Sequence, residues 1–317
     1  MRELIAHRPR FQRLLASLED QPALPTAIAH PCDEVSLASA VEAAEEGLIT
    51  PIFVGPAGKI RHTARQAGID LARYRVVDAP HSHAAAAQAV ALVRSGEASL
   101  LMKGSLHTDE LMHAVCAPGG LRTDRRLSHV FLVDVPGYAR MLLVTDAAIN
   151  IAPSLMDKRD IVQNAIRLAH VVGVSVPKVA VLSAVETVNP ALPSTVDAAA
   201  LCKMAERGQI TGGIVDGPLA FDNAVDAGAA REKGIVSAVA GMADVLVVPD
   251  LESGNMLAKQ LTFFAGAEAA GVVMGAQAPI ILASRADAPR ARIASCAVAV
   301  LVARAAHAGR AVVAKAG

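Results

Sequence analysis

Short apolar runs rich in valine, isoleucine and leucine recur along the chain, separated by longer alanine-rich stretches with helical spacing. The runs Ala27–His30, Ile52–Val54, Tyr74–Val77, Leu100–Met102, Val130–Val135, Met141–Val144, Val179–Leu182, Ile214–Val215, Val245–Val248 and Ile280–Leu282 read as strands. They read as buried runs rather than period-two alternation, as strands do when helices cover both faces of a parallel sheet. Helical patterns occupy Val35–Glu46, His83–Arg94, Asp157–Val172, Thr195–Arg207, Asn255–Ala270 and Arg290–Arg304. This alternation predicts β-α-β units, and hence an α/β fold of two three-layer α/β/α domains with mostly parallel sheets.

Local signals sharpen the boundaries. Asp157 and Ser194 stand where helix N-caps are expected, and Gly173 and Gly208 where helices stop. Two strand runs meet around Pro136-Gly137-Tyr138, which predicts a hairpin. We place the change of domain at that turn: residues 1–138 with 286–317 form the first domain, and residues 139–285 the second.

Composition narrows the class. At 317 residues, the chain suits about two domains of ~150 residues. Basic and acidic residues cancel at 30 each, and no long basic run appears, so no nucleic-acid partner is expected. Any anionic ligand must be caught by a few local cations. Cys32, Cys116, Cys202 and Cys296 are scattered without CxxC spacing, which points to a reducing compartment rather than a disulfide framework or zinc site. The first twenty residues mix Arg and His with Glu3, Glu19 and Asp20; an Arg-rich transit peptide is the lesser reading. No apolar run approaches the ~20 residues of a membrane span, because Arg304 and His307 break the alanine-rich tail. The expected location is cytoplasmic, with no membrane partner, and the Ala/Val-rich helices suit a homodimer.

Absences narrow the chemistry further. The chain lacks GxGxxG, GxxxxGK[ST], GxSxG and HExxH. His81 and His83 form an HxH pair; without a nearby carboxylate or cysteine cluster it reads as a helix start rather than a metal site.

Five polar segments gather after strand ends, where open α/β sheets place their ligands. Lys103-Gly104-Ser105-Leu106-His107-Thr108 offers a cation, a flexible glycine and hydroxyls suited to phosphate, with Lys103, Ser105, His107 and Thr108 as candidates; a solvated turn is the alternative. Arg122, Arg125 and Arg126 lie within five positions, and guanidinium forks bind phosphate oxygens in pairs; a surface cluster with Asp124 competes. Asp216 and Asp222 place two carboxylates on one loop, suited to acid/base work or a metal unless turn chemistry explains them. Ser253 or Asn255 would cap a helix whose exposed N–H groups favour an anion. Ser284, Arg285 and Asp287 close the set after the last strand run.

In this order, the segments resemble the phosphate acetyl/butyryltransferase family. The specific pieces are Lys103-Gly104-Ser105-Leu106-His107-Thr108, Ser128-His129-Val130-Phe131, Asp216 to Ala224, Pro249 to Asn255, and Ser284-Arg285, collinear from about Lys103 to Arg292. The resemblance implies two α/β/α domains of the isocitrate/isopropylmalate dehydrogenase-like kind, with the active site in a cleft between them. It implies the exchange of phosphate and coenzyme A on an acetyl, propionyl or butyryl group, without a metal, a permanently bound cofactor or a covalent acyl-enzyme. Coenzyme A, acyl-CoA and phosphate would be the substrates and small-molecule partners. The family's serine–arginine pair falls on Ser284 and Arg285. The serine would bond the CoA sulfur or the oxyanion, and the arginine would hold phosphate or the CoA phosphates.

Two positions depart from the pattern. Many family members carry an aspartate seven residues after that serine, where this chain has Ala291; Asp287 is the nearest substitute, and the change inclines the reading to the butyryl side. A family arginine expected near His113 has no match, so Arg122, Arg125 or Arg126 would supply that charge. Two other readings compete. One is a non-catalytic acyl-CoA or acyl-phosphate binding module, suggested by Ala291. The other is a metal- and NAD-dependent hydroxy-acid dehydrogenase with Asp216 and Asp222 as metal ligands.

Overall fold

The computed structural model describes residues 9–282 and 287–316. It is an α/β fold whose strands pair mostly in parallel. The chain divides into two compact units, residues 1–125 with 270–317 and residues 126–269.

In the first unit the strands are β1 (Leu24–Ala29), β2 (Ile49–Gly55), β3 (Arg75–Asp78), β4 (Leu100–Lys103), β10 (Glu268–Met274, from Ala270 on) and β11 (Ile280–Ile281). Their order is β3-β2-β1-β4-β11-β10, with only the β10–β11 contact antiparallel. Helices α2 (Glu34–Glu45), α3 (Ala57–Gln66) and α4 (Ser82–Arg94) cross between successive strands, and α5 (Thr108–Cys116) follows β4. Because β1 leads to β2 on one side and neighbours β4 on the other, the order reverses between β1 and β4. Open α/β sheets form their crevice at the carboxyl ends flanking such a reversal.

The backbones are tightly packed at that point. A Cβ on Gly104 would lie 2.4 Å from the Ala29 carbonyl oxygen and 2.7 Å from the His30 carbonyl. His30 itself is the one described non-glycine residue with positive φ, at 53°.

The second unit holds β5 (Ser128–Asp134), β6 (Leu142–Thr145), β7 (Lys178–Leu182), β8 (Ile214–Leu219) and β9 (Val245–Val247), in the order β5-β6-β9-β7-β8. The β5–β6 pair is the antiparallel hairpin expected at residues 136–138, and the other pairs are parallel. Helices α6 (Leu155–Val171), α7 (Pro193–Glu206), α8 (Phe221–Val225) and α9 (Ala227–Glu232) connect them, and α10 (Leu251–Phe263) follows β9. Val144, Ala180, Leu219, Ala224, Val239 and Leu246 belong to one buried cluster here.

Several local expectations need correction. Ser154, not Asp157, caps α6; Asp157 returns the bond to the Ser154 N–H, completing a capping box. Helix α7 opens on Pro193 after Leu192, while the Ser194 hydroxyl pairs with Ser183 Oγ at 2.8 Å. The helical pattern over Asn255–Ala270 stops at Phe263: Gly266 turns the chain at φ 61°, and the apolar run up to Met274 becomes β10. The helical spacing of Arg and His against Leu and Phe in the first twenty residues becomes α1 (Pro9–Ala16), whereas α3, α5, α8 and α9 carry no matching expectation because each is 10 residues or shorter. Gly173 and Gly208 do follow α6 and α7, at φ 95° and 72°.

Helix α11 (Pro289–Ala316) carries one 20-residue stretch, Pro289–Ala308, long and apolar enough to cross a membrane. This corrects the expectation that no such run exists. Half of its apolar window is buried inside the protein, and the helix packs on α1, α2, β4 and β11, which marks it as a core helix.

The close β1–β4 approach generates a prediction. Gly104→Ala forces a methyl group into backbone atoms that cannot move aside, a cost of about 2 kcal/mol or more. A thermal melt should show a midpoint several degrees below wild type; an unchanged midpoint would mean that the two strand ends are not so tightly apposed.

Candidate active site

At the carboxyl ends of β1 and β4, Ser105 is the hub. Its hydroxyl donates to the His30 carbonyl at 2.7 Å, accepts from the Cys32 N–H at 3.1 Å and lies 3.2 Å from His30 Nδ1. Lys103 donates from Nζ to the Gly104 and Leu106 carbonyls at 3.1 and 3.2 Å, so the ammonium shapes the loop that carries it. His107 is exposed at the N-cap of α5, where its side chain makes no capping bond, and half-buried Thr108 begins the helix. Desolvation, reinforced by the nearby Lys59 ammonium, holds the His30 imidazole below its ordinary pKa. Four of the predicted residues, Lys103, Ser105, His107 and Thr108, thus stand together at the strand reversal.

Elsewhere in this unit, exposed Arg122 forms an isolated bridge with Ala276, and half-buried Arg125 donates its N–H to Thr123 Oγ1. Asp287 is half-buried just before α11, where its carbonyl accepts from Arg292 Nη1 at 2.6 Å. Ser284 and Arg285 lie outside the described residues.

The second unit gathers a different set. The antiparallel hairpin puts the start of β5 beside the end of β6, so Arg126-Leu127-Ser128 meets the segment after Thr145. The Arg126 Nε–H donates to Asn150 Oδ1 at 2.6 Å, with Asp157 Oδ1 at 3.5 Å. Buried Asn150 donates in turn to the Leu127 carbonyl and to Asp146 Oδ2. The Asp146 carboxylate also accepts the N–H groups of Ala148, Ile149 and Asn150. Burial outweighs those bonds and raises its pKa. The Arg126 backbone is fixed separately, its N–H to Asp160 Oδ2 at 2.9 Å and its carbonyl to Asn164 Nδ2 at 2.9 Å. Asp146 and Asn150 stand outside the candidates drawn from sequence, although a polar residue directly after an apolar run was the signal used for the others.

The remaining candidates fall elsewhere in the second unit. Asp216 is inside strand β8, where its carboxylate accepts the Gly217 N–H at 2.8 Å, and exposed Asp222 is on α8. The two carboxylates therefore do not share a loop. A Cβ on Gly217 would sit 2.6 Å from the Val181 carbonyl oxygen, so the Asp-Gly-Pro sequence continues the strand beside β7 instead of turning. Asp222 lies 3.9 Å from Lys233 Nζ, which also pairs with Glu186, the acceptor of Asn223 Nδ2. Helix α10 is capped by Asp250; Ser253 completes its capping box, and Asn255 donates to the Ala147 carbonyl at 3.3 Å. Capping by Ser253 or Asn255 is thus replaced by capping through Asp250, because only that carboxylate precedes the first turn and reaches the Ser253 N–H.

Metal and thiol chemistry find little support. Among the described residues no group of three or more His, Cys, Asp or Glu is placed to hold a metal ion. His81 caps α4 by accepting the Ala84 N–H, and His83 faces Glu110 at 3.7 Å, so the HxH pair is a helix start. All four cysteines are unpaired. Burial raises the thiol pKa of Cys32, of Cys202 to about 11 and of Cys296 to about 12, which keeps these three protonated and poorly nucleophilic.

Comparison with known proteins places this geometry. A solved branched-chain phosphotransacylase from Enterococcus faecalis V583 matches with a TM-score of 0.77 at 30% identity, over 88% of this chain and 99% of that one. The fold is that of a phosphotransacylase-like α/β enzyme. The family model described as phosphate acetyl/butaryl transferase matches residues 81–300. A phosphate acetyltransferase of Rhizobium meliloti is 63% identical over 299 residues, 94% of this chain and 95% of that protein. A phosphate butyryltransferase of Clostridium beijerinckii is 42% identical over 294 residues, 92% and 97% of the two chains. The chain belongs to the phosphate acetyl/butyryl transferase family and is an acyltransferase. The readings as a non-catalytic module and as a dehydrogenase fall with that membership.

The Ser128-His129 pair carries a pH prediction. His129 is fully buried against Phe131, ring centroids 4.3 Å apart, and desolvation pushes its pKa down to about 4. The unfolded chain binds a proton near 6.5 that the folded chain refuses, so stability from the neutral ring is complete above about 6.5 and is lost as pH falls towards 4. The melting temperature should therefore fall less steeply between about pH 7 and 4.5 in His129→Gln than in wild type; parallel slopes would contradict the assignment.

Proposed function

We propose that the chain is a phosphate acetyltransferase, converting acetyl-CoA and phosphate to acetyl phosphate and free coenzyme A, and the reverse. The carrying observation is 63% identity to a phosphate acetyltransferase across nearly the full length of both chains. Ala291 inclines the sequence towards a butyryl donor, but identity to the butyryltransferase relative is only 42%, which favours acetyl.

In the forward direction a phosphate oxygen attacks the thioester carbonyl, the C–O bond forms, and the C–S bond breaks. Coenzyme A leaves as thiolate and takes up a proton; phosphate gives up its own. Arg285 fixes phosphate or the CoA phosphates, and Ser284 bonds the sulfur or the oxyanion. Lys103, Ser105, His107 and Thr108 contribute the loop that receives an anionic group, and Arg122, Arg125 and Arg126 add positive charge. Asp216, Asp222, Ser253 and Asn255 act on substrate only through the segments they shape, given the bonds already described. Asp287 takes the thiol proton in the reverse direction, a modest demand because a free thiol has a pKa of about 8.5.

Positioning of this kind recovers ~7–11 kcal/mol of barrier, and one preorganised oxyanion donor is typically worth ~3 kcal/mol. The three protonated thiols support direct transfer over an acyl-cysteine route. The chemistry needs no resident cofactor. Four unpaired cysteines suit a reducing cytoplasm.

Incubation with acetyl-CoA, phosphate and a thiol reagent should release coenzyme A only when phosphate is present; no phosphate-dependent release from wild-type protein would overturn the proposal. Arg285→Ala should raise the KM for phosphate or coenzyme A about tenfold or more, as the loss of one charge-assisted contact does. An unchanged KM would remove that role.

We also propose a homodimer. Phe263 and Phe264, at the end of α10, are 78% and 91% exposed in the single chain, two adjacent rings that a second copy would cover. Light scattering should give twice the chain mass for wild type and a lower mass for Phe263→Asp/Phe264→Asp. A wild-type monomer would refute it.

A further inference from the structure

Arg126 is held in a way that tying β5 to α6 does not require. That tie is made by its backbone, through the bonds to Asp160 and Asn164. The side chain is 52% exposed, yet its Nε–H is gripped by Asn150, a residue 2% exposed. Asn150 has no freedom to swing, since its two amide hydrogens go to the Leu127 carbonyl and to Asp146 Oδ2. Asp146 is anchored by three successive backbone N–H groups. Burying that carboxylate costs free energy, as its raised pKa records, so the chain of bonds is an expensive way to hold an exposed guanidinium still.

A guanidinium offers two edges for bidentate contact, one formed by Nε with one Nη, the other by the two Nη groups. Asn150 occupies the first, with Asp157 next to it. Among the described residues no acceptor is recorded for Nη1 or Nη2. We infer that Asn150 is a positioning residue, itself oriented by Asp146, which fixes Arg126 by Nε so that its Nη1/Nη2 edge receives the oxygens of a substrate phosphoryl group. This rests on the proposed acyl transfer, whose two substrates both carry such groups: inorganic phosphate, and the phosphates of coenzyme A. It also separates the three clustered arginines, because Arg126 alone is braced through its side chain by a buried network.

The test is steady-state kinetics with the KM for phosphate and for acetyl-CoA measured separately in wild type, Asn150→Ala, Arg126→Ala and the double variant. Arg126→Ala should raise one KM about tenfold or more, that of whichever substrate supplies the phosphoryl group, with kcat changed much less. Asn150→Ala should raise the same KM by a smaller factor, and the double variant should match Arg126→Ala alone, because Asn150 acts only through the arginine. Arg126→Lys should keep the weakened KM, since an ammonium cannot bond Asn150 and present a fork together.

If Arg126→Ala leaves both KM values at wild type, or if the two single effects multiply in the double variant, the inference is wrong. Because the Arg126 side chain is half exposed, its variants decide the matter even where Asn150→Ala fails to fold. An inactive wild type would overturn the acyl-transfer reading and this inference together; an active wild type with unchanged variants would overturn this inference alone.

Discussion

Parallel strands cannot return through a two-residue turn, so each must be followed by a crossover, and the polar loops all emerge at the carboxyl edge. That constraint organises both units of this protein. In the first, the strand order reverses between β1 and β4, and the loops carrying His30 and Lys103 diverge from neighbouring strand ends. In the second, β6, β7, β8 and β9 run parallel and deliver Asp146, Ser183, Ala220 and Val248 to one edge. The antiparallel β5 is the exception that adds to this edge, since its first residues, not its last, lie there. The composition follows from the same constraint. Helices must cover both faces closely, and a chain with 53% hydrophobic but only 3% aromatic residues packs them through alanine, valine and leucine.

What the loops do depends on how the backbone beneath them is fixed. Gly104 allows β4 to press against Ala29 and His30, and the Ser105 hydroxyl then ties the next turn to the His30 carbonyl and the Cys32 N–H. Gly254 plays the same part in the second unit: a Cβ there would lie 2.8 Å from the Asp146 carbonyl oxygen, so the first turn of α10 sits directly on the segment after β6. A buried amide is the link between buried and exposed charge: Asn150 joins Asp146 to Arg126. An amide both donates and accepts, so it can orient a carboxylate and a cation at once, which neither could do for the other across the same gap.

The strand runs were legible because buried parallel strands are apolar without interruption; ten of the eleven strands show as such runs. β10 was hidden because Ala269 and Ala270 extend the apparent helical pattern of α10 past Gly266, where the helix has already ended. The polar loops were legible as loops, but the duties of their side chains were not. Ser253 looked like a cap and serves as the returning half of one, because Asp250 stands three residues earlier. Asp216 and Asp222 looked like a pair, but Gly217 continues the strand against β7 and leaves them on different elements. Asn150 escaped notice because its importance lies in contacts with Arg126 and Leu127, 24 and 23 positions away, and Asp146 because it acts through Asn150; no local pattern encodes either.

The replacement of the family aspartate by Ala291 bears on where the proton goes, and less on whether the transfer proceeds. Ala291 lies in the first turn of α11, where its carbonyl accepts the Ser295 hydroxyl at 2.8 Å, and Asp287 precedes that turn with its carbonyl tied to Arg292. A carboxylate thus remains at the start of the helix, one turn earlier. In the proposed reaction the base is needed only for a thiol, which ionises within about 1.5 units of neutrality without help. The larger demand is the pairing of a phosphate dianion with an electrophilic carbonyl, which water would otherwise solvate separately. In the proposed reaction fixed cations meet that demand, and a braced guanidinium meets it better than a mobile one because its orientation is settled before substrate arrives. Under that proposal, a move of the base by one helical turn costs this chain less than the loss of the bonds that hold Arg126.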